Sequence, residues 1–188
     1  MLVVGIAAPA RAAEQVLRLD AAATRVGFTL DATMHAAKGT LPLREGEIGL
    51  DLATGTAHGR LVFDATRADT GHEARDQKMH EEVLESARYP EIVYTVSAAK
   101  ADFAADGTGT VTLQGTLAIH GADHPCTVTG RVRRKGDDVV AEGDLVIPYV
   151  AWGMRDPSVF LLRVAKEVVV HFTAVGTLAP ARSPDNAR

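Results

Sequence analysis

The chain has 188 residues, of which 46% are apolar and 23% charged, and its formal net charge is −4. These values fit one globular domain with a core of ordinary size. Aromatic residues make up only 5% of the chain, and the clearest basic cluster is the short run at residues 131–135. Both facts argue against nucleic acid as the main partner, because binding it needs a basic face or rings for base stacking.

The N-terminus begins with an apolar run over residues 1–10, followed by the small-x-small sequence Ala10-Arg11-Ala12. An apolar stretch of this length before such a site is typical of a secretory signal peptide, and it is too short to span a bilayer. We therefore predict that residues 1–12 are the remnant of an export signal, with a frayed alanine-rich terminus as the alternative. Residues 13–179 then form a single domain, and the tail 180–188 is predicted to be disordered.

Most of the chain between these ends alternates apolar and polar residues with a period of two, which is typical of half-buried strands. The alternating segments, in chain order, are residues 24–30, 47–52, 109–119, 126–132, 139–147 and 168–174. Turn-forming residues at 105–107 and 136–138 separate some of these segments, and residues 120–125 are predicted to be a short loop. Connections this short require antiparallel neighbours.

Two segments interrupt the alternation. Thr70 and Glu73 are spaced as a capping box, with Thr70 as the N-cap, and they predict one helix over residues 73–85. Residues 148–160 are apolar and broken by prolines, and they contain Trp152, the only tryptophan. This segment is predicted to be a long loop before the last strand, and long ordered loops are often functional.

These elements predict an all-β fold with one helix, an eight-stranded antiparallel barrel, because closing the sheet removes its exposed edges. A barrel of this size can hold one small ligand. Its inward residues are mainly aliphatic, so the lumen is expected to be dry and apolar. Gly115, Gly130 and Gly143 stand at inward positions, where they indicate either empty space or bends in the strands.

Three segments together resemble YceI-like proteins, over about residues 16–178. They are Leu19-Asp20 with Val26-Gly27-Phe28, then residues 69–76 with Met79 and Tyr89-Pro90, and then residues 115–121. The resemblance implies a lipocalin-like barrel in an exported bacterial protein, with an isoprenoid or quinone-like lipid enclosed in an apolar tunnel. The chain departs from the usual family pattern before Tyr89, at His124 and in the loop around Trp152.

The candidate ligand-binding residues are apolar side chains of the inner face, the helix and the long loop. The helix and the loop can form an apolar mouth to the lumen, and a plain plug of core packing is the alternative. The full set is Phe28, Leu30, Met79, Val83, Leu113, Leu117, Ile119, Trp152, Met154, Phe160 and Phe172. Arg75 and Asp76, at the start of the helix, are either a polar clamp for a lipid head group or structural, and we favour the structural role.

Motifs for catalysis are missing from the sequence. It contains neither Gly-x-Ser-x-Gly nor His-Glu-x-x-His, and Cys126 falls on an apolar face, where a small buried thiol is expected. We therefore predict no catalytic residue, no metal and no cofactor. The best pair for a metal is His120 and His124, which flank a turn, whereas His72 and His80 are spaced about two helical turns apart.

The sequence thus predicts a non-enzymatic protein, periplasmic or secreted, that sequesters or carries an isoprenoid-tailed or quinone-like lipid. The apolar lumen follows from the residues, and the class of lipid follows from the resemblance. The alternative is a metal-dependent enzyme or a stress protein on the same barrel using His120 and His124, and a filled barrel is a third hypothesis. Nucleic acid is excluded as a partner, while a homodimer and transient membrane contact stay open.

Overall fold

The strands and helices lie in residues 14–33, 35–51 and 54–181, the parts of the chain that the computed structural model describes. The strands are β1 Gln15–Leu19, β2 Arg25–Leu30, β3 Ala37–Thr40, β4 Leu43–Asp51, β5 Thr56–Asp64, β6 Glu91–Phe103, β7 Thr108–Ile119, β8 Ala122–Lys135, β9 Asp138–Ile147 and β10 Val168–Pro180. Between β5 and β6 lie a 3-10 turn Ala65–Arg67, the helix α1 Glu73–Lys78 and a π-helical turn Met79–Val83.

The sheet closes on itself through β10. This strand pairs with β9 along one edge, and with β2 and then β1 along the other edge. Because β2 pairs with β3 and β1 pairs with β4, β1 and β2 share one position of the ring, and β3 and β4 share the next. The remaining six strands complete eight positions. The predicted eight-stranded antiparallel barrel is confirmed, with a broken strand at two of its positions.

The barrel interior is apolar because the period-two pattern sends alternate side chains inward. Along β6, Ile92, Tyr94 and Val96 are 7%, 3% and 3% exposed, whereas Thr95 between them is exposed. Phe63 on the neighbouring strand β5 also points into the barrel. These inward side chains form the main hydrophobic core and the wall of the lumen.

Tight turns join β6, β7, β8 and β9. Gly107 and Gly136 have φ values of 81° and 64° in two of them, the left-handed backbone that the predicted turns require. The turn between β7 and β8 is shorter than the predicted loop, because only His120 and Gly121 lie outside the strands, with φ values of 52° and 75°. Positive φ at both central residues suits a two-residue hairpin, so His124 lies within β8.

The predicted helix is present, but its predicted N-cap is wrong. The N-cap of α1 is His72, whose side chain makes no capping hydrogen bond. The backbone N–H and the hydroxyl of Thr70 both donate to Oδ1 of Asp76, at 2.8 and 2.6 Å, because this carboxylate competes successfully for the Thr70 side chain. After α1 the helix widens into the π-helical turn Met79–Val83, and Glu85, with a φ of 46°, ends it.

The strands β8 and β9 separate toward one end of the barrel. Their ladder ends at the pair Arg131 and Glu142, although each strand stays paired with its other neighbour beyond that point. Trp152, from the loop that follows β9, stacks its ring on His124 of β8, with the ring centroids 4.1 Å apart. Side-chain packing, without a backbone ladder in the described residues, therefore closes the wall along this β8–β9 seam.

The inward glycines allow close approach and do not leave empty space. A Cβ atom at Gly115 would lie 2.1 Å from the carbonyl oxygen of Thr95, where the ladder between β6 and β7 is irregular. At Gly143 a Cβ atom would lie 2.8 Å from Cζ of Phe172, and the same ring lies over Gly130. Of the two interpretations of these glycines, the structure therefore favours strand approach and bending.

The two predicted terminal segments fall largely outside the described residues. Residues 1–13, which include the predicted export signal, and residues 182–188 of the predicted tail are not described. The strand β10 extends to Pro180, and the backbone N–H of Ala181 donates to the carbonyl of Glu14 at 2.8 Å. The sheet therefore continues slightly past residue 179, where the sequence predicted the domain to end.

Candidate functional site

The barrel encloses an apolar cavity of about 310 Å³. Its wall is formed by side chains from every strand of the described residues except β3, together with the π-helical turn. Nine of the predicted binding residues line this cavity: Phe28, Leu30, Met79, Val83, Leu113, Leu117, Ile119, Met154 and Phe172. Strand alternation therefore identified six of these wall residues, and the helix and loop supplied the other three, while the contact of all nine with a ligand stays a prediction.

The other two predicted binding residues lie elsewhere. Trp152 does not line the cavity; it packs against the edge of the core and stacks on His124, with an angle of 3° between the ring planes. Phe160 is 92% exposed on the outside of the barrel. Of the three loop residues predicted to form the mouth, only Met154 lines the cavity. The prediction failed for the other two because an irregular loop has no periodicity from which the direction of its side chains can be inferred.

Three strands that the sequence analysis did not identify, β1, β5 and β6, also contribute lining residues. These residues include Leu17, Leu61, Phe63, Ile92 and Tyr94. Each occupies every second position of its strand, so the same period-two signal was available in these segments.

One end of the barrel, called here the capped end, is covered by the π-helical turn that follows α1 and by the loop of residues 148–167. Met79, Val83 and Leu84 line the cavity from this side. Glu85 accepts a hydrogen bond from Nε2 of His120 across 3.0 Å, which fastens the end of the helix to the hairpin turn between β7 and β8. Both residues have positive φ, an uncommon state for non-glycine residues that persists only where the surroundings hold it.

The polar atoms inside the cavity wall are mostly satisfied. The hydroxyl of Tyr94 lies 3.0 Å from the carbonyl of Leu113 and 3.1 Å from that of Cys126, to which it can donate. Burial raises the pKa of Tyr94, and it also raises the pKa of the free thiol of Cys126. Both groups therefore stay protonated and neutral near pH 7, as an apolar wall requires.

His124 lies next to the wall without lining the cavity, and one of its ring nitrogens lacks a hydrogen-bond partner. It stands opposite Leu117 and two residues before Cys126, and both of these line the cavity. Cross-strand partners share a face of the sheet, so the imidazole belongs to the inner face near the capped end. Its Nε2 is buried and has no hydrogen-bond partner, and it is the only such side-chain atom found in the described ranges. A buried polar atom without a protein partner is costly, so this nitrogen is a candidate for a contact with a water molecule or a ligand atom.

Charged groups contribute little to the wall. Arg134 is the one charged residue that lines the cavity among those described, and it lies beside the turn between β8 and β9, at the end opposite the helix. Its Nε donates to the carbonyl of Gly136 at 2.8 Å. Arg75 and Asp76, the predicted alternatives for a polar clamp, do not line the cavity. The bonds from Thr70 to Asp76 agree with the structural role that we favoured.

The histidines do not assemble a metal site in the described part of the chain, where no three side chains of His, Cys, Asp or Glu are grouped to hold an ion. His120 is engaged with Glu85 and packs on Tyr89, and His124 is stacked on Trp152. The two ring nitrogens of His80 lie 2.8 Å from the hydroxyl of Ser86 and 2.9 Å from the carbonyl of Ala68. The described geometry therefore gives no support to the alternative based on His120 and His124.

Comparison with known proteins identifies relatives of the whole barrel. The model of the YceI-like domain matches residues 17–176. A polyisoprenoid-binding domain from Saccharophagus degradans, implicated in plant cell wall breakdown, has 20% identity and a TM-score of 0.68, covering 87% of this chain and 98% of that one. BcnA from Burkholderia cenocepacia has 21% identity and a TM-score of 0.68, covering 85% and 99%. A YCEI protein from Campylobacter jejuni has 12% identity and a TM-score of 0.57, covering 80% and 88%.

No curated protein matches the chain significantly. Within the described ranges, no helix has both the length and the apolar character needed to cross a membrane.

Proposed function

The chain belongs to the YceI-like family, and from that premise we propose that it binds a lipid with an isoprenoid tail inside its barrel and carries or stores it. The observation that carries the proposal is the cavity, which is enclosed by aliphatic and aromatic side chains and has a single charged residue, Arg134, in its described wall. A wall of this kind excludes polar metabolites, because they would lose their hydrogen bonds to water without replacement.

The energy of binding would come from burial of the tail. Each methylene group removed from water contributes about 0.8 kcal/mol. A tail that follows the lumen from the capped end toward Arg134 contacts Met79, Leu117 and Leu113 in turn. Tight binding then needs few polar contacts, and specificity would depend on the length and shape of the lumen.

The class of lipid is supported by the Saccharophagus relative, which is described as polyisoprenoid-binding. Branched isoprenoid chains suit the mixed surface of this cavity, where aromatic rings of Phe28, Phe63 and Phe172 stand among leucines and valines. Isoprenoid alcohols and quinone-like lipids share such a tail, so both belong to the proposed class.

We place the head group of the lipid at the capped end, where it would have to reach past the lining residues to His124, which does not itself line the cavity. The unpartnered Nε2 of this residue can donate to a quinone oxygen, or donate to or accept from a hydroxyl, according to its tautomer. At the opposite end, Arg134 is already held by Gly136. The tail would then point away from the helix, into the deeper part of the lumen.

We also propose that the protein acts outside the cytoplasm, in the periplasm or after secretion. The support is the apolar run of residues 1–10 with the small residues Ala10 and Ala12, which has the form of a signal peptide. A carrier in that compartment would exchange its lipid with a membrane or with another protein, and it would have no catalytic step of its own.

Native mass spectrometry tests the proposal most directly. Protein purified from a bacterial host without detergent is expected to carry an adduct of lipid mass that organic extraction removes. The extracted protein is then titrated with retinol, an isoprenoid alcohol whose fluorescence reports an apolar environment, and saturable binding is expected. A protein that carries no lipid adduct and also fails to bind retinol would contradict the proposal.

A further inference from the structure

The most exposed apolar group in the described residues is the tip of the long loop, away from the cavity. Phe160 and Leu161 are 92% and 82% exposed, and the neighbouring Val159 is 54% exposed. Single exposed apolar side chains are common, but adjacent ones form a contiguous apolar patch, and such patches mark interaction sites. None of the three lines the cavity, so the lumen does not explain them.

The tip is held in place by hydrogen bonds on both sides. The backbone N–H of Val159 donates to the carbonyl of Leu162 at 2.9 Å, and that of Leu162 donates back at 3.1 Å. Behind them, the N–H of Val164 donates to the hydroxyl of Ser158 at 3.0 Å. The tip is therefore a closed turn that projects Phe160 and Leu161 outward, and its flanking backbone groups are already satisfied.

The base of the loop is fixed to the barrel. Arg163 and Thr33 exchange backbone and side-chain hydrogen bonds at 2.9 to 3.1 Å, and Val164 forms a β-bridge with Ala32. On the helix side, Nζ of Lys78 donates to the carbonyl of Pro157 at 3.1 Å. The apolar tip is thus a rigid projection at the capped end.

The loop that carries the tip has a small excess of basic residues, although the whole chain is acidic, with a net charge of −4. Residues 155–167 contain three basic and two acidic side chains. Arg163 and Lys166 lie close enough to Asp156 to help the hydrogen bonds of Ser158 lower the pKa of that carboxyl, and Arg155 is 3.3 Å from Glu82. An apolar projection with arginine and lysine beside it complements a bilayer with anionic head groups.

The small size of the tip favours a bilayer over a protein partner. A stable protein interface buries roughly 800 Å² on each partner, whereas one aromatic side chain buries about 150–250 Å². Phe160 and Leu161 together supply only part of the area that a protein partner needs. Insertion into the boundary between lipid head groups and acyl chains needs only a few deeply buried apolar side chains.

From these observations we propose that the loop tip, residues 159–162, docks the barrel on an anionic lipid bilayer by inserting Phe160 and Leu161, with the capped end facing the membrane. This inference goes beyond the proposed function, since the docking does not depend on what the cavity holds. It would place the helix and His124 close to the bilayer surface.

Sedimentation with vesicles tests the docking. Wild-type protein is expected to bind vesicles of phosphatidylglycerol and phosphatidylcholine, and to bind them more weakly at high salt. The double substitution Phe160→Ser with Leu161→Ser is expected to reduce this binding by at least ~10-fold, since two exposed apolar side chains are lost. The matched control is Val146→Ser, which removes a 51% exposed apolar side chain on β9 and should leave vesicle binding unchanged.

The outcomes separate this inference from the proposed function. Both variants should keep the thermal midpoint and the retinol binding of the wild type, because neither change touches the cavity. Equal vesicle binding by the double variant and the wild type would overturn the docking, as would an absence of binding by the wild type. A wild type that dimerises through the tip, with the double variant monomeric and neither bound to vesicles, would assign the tip to a second copy and also overturn it. Loss of retinol binding in every protein would instead contradict the cavity proposal alone.

Discussion

Replacement of Leu113 by tryptophan is expected to block the lumen without damaging the barrel. Leu113 lies midway along β7, opposite Val128, and projects into the cavity of about 310 Å³. An indole there would occupy space that the tail of the lipid needs. If it excludes about three methylene groups, the loss is roughly 2.4 kcal/mol at about 0.8 kcal/mol each, which weakens binding by about 60-fold.

The stability of the same variant shows whether the lumen is empty. Adding bulk to a filled core costs about 1–3 kcal/mol of unfolding free energy, whereas an indole that enters an open apolar cavity gains contacts and should cost less than about 1 kcal/mol. Urea unfolding of lipid-free protein measures this difference, and retinol titration measures binding.

The matched control for this experiment is Gln114→Trp, one residue along β7. Its side chain is exposed on the outer face, so the added ring should affect neither retinol binding nor the urea midpoint. A Leu113→Trp variant that is destabilised by the full cost of adding bulk to a filled core, and that still binds retinol like the wild type, would refute the reasoning. The lumen would then be packed, and the ligand would bind elsewhere.

Three further outcomes are expected. His124→Phe keeps the stack on Trp152 and removes the unpartnered Nε2, so urea unfolding should show equal or higher stability. The affinity for farnesol should fall, whereas the affinity for squalene, which has no head group, should not. An equal loss of affinity for both lipids would contradict the head-group assignment. Burial raises the pKa of Cys126, so a thiol reagent should modify folded protein slowly at about pH 8 and more slowly still with retinol bound; fast modification of folded protein would contradict a dry wall. Hydrogen bonds from Thr70, of which the side-chain bond has the largest effect, lower the pKa of Asp76 below its ordinary value of 3.8. The stability that these bonds give the folded protein is therefore complete above about pH 5 and is lost as the pH falls through the lowered pKa. The difference in unfolding free energy between wild type and Thr70→Val should therefore shrink between about pH 6 and about pH 2, and a constant difference would contradict the assignment.

The barrel and most of its inner face could be predicted because strand alternation is a local property of the sequence. In residues 109–119 the leucines and the threonines separate without ambiguity, and the structure places them on opposite faces of β7. The same rule applied to β5 and β6 would have added Phe63 and Tyr94. The closure through β10 was predicted only from the need to remove sheet edges, since no local signal shows that one strand pairs with both β1 and β2.

Details that depend on competition between groups could not be predicted. The predicted capping box is absent because the Thr70 hydroxyl and backbone N–H donate to Asp76, six residues along the chain, and the hydroxyl is then not used to cap the helix. The loop predicted at residues 120–125 was longer than the observed two-residue turn. The short turn needs a left-handed backbone at His120, which the identity of that residue does not predict. Phe160 was assigned to the cavity because an irregular loop has no period from which to read direction, and tertiary bonds such as that of Val164 set it instead.

The β8–β9 seam gives the barrel one line along which its wall can widen at low cost. Elsewhere, separating two strands breaks a row of backbone hydrogen bonds at once, whereas beyond the pair Arg131 and Glu142 the strands are joined by side-chain contacts such as the stack of Trp152 on His124. An aromatic contact of this kind contributes about 0.5–1.5 kcal/mol, which is close to thermal energy. We therefore expect the wall to open first along this seam beside Cys126. If the lumen holds a lipid as proposed, the rate of lipid exchange should then depend on rotation of the Trp152 ring and not on the unfolding of a strand.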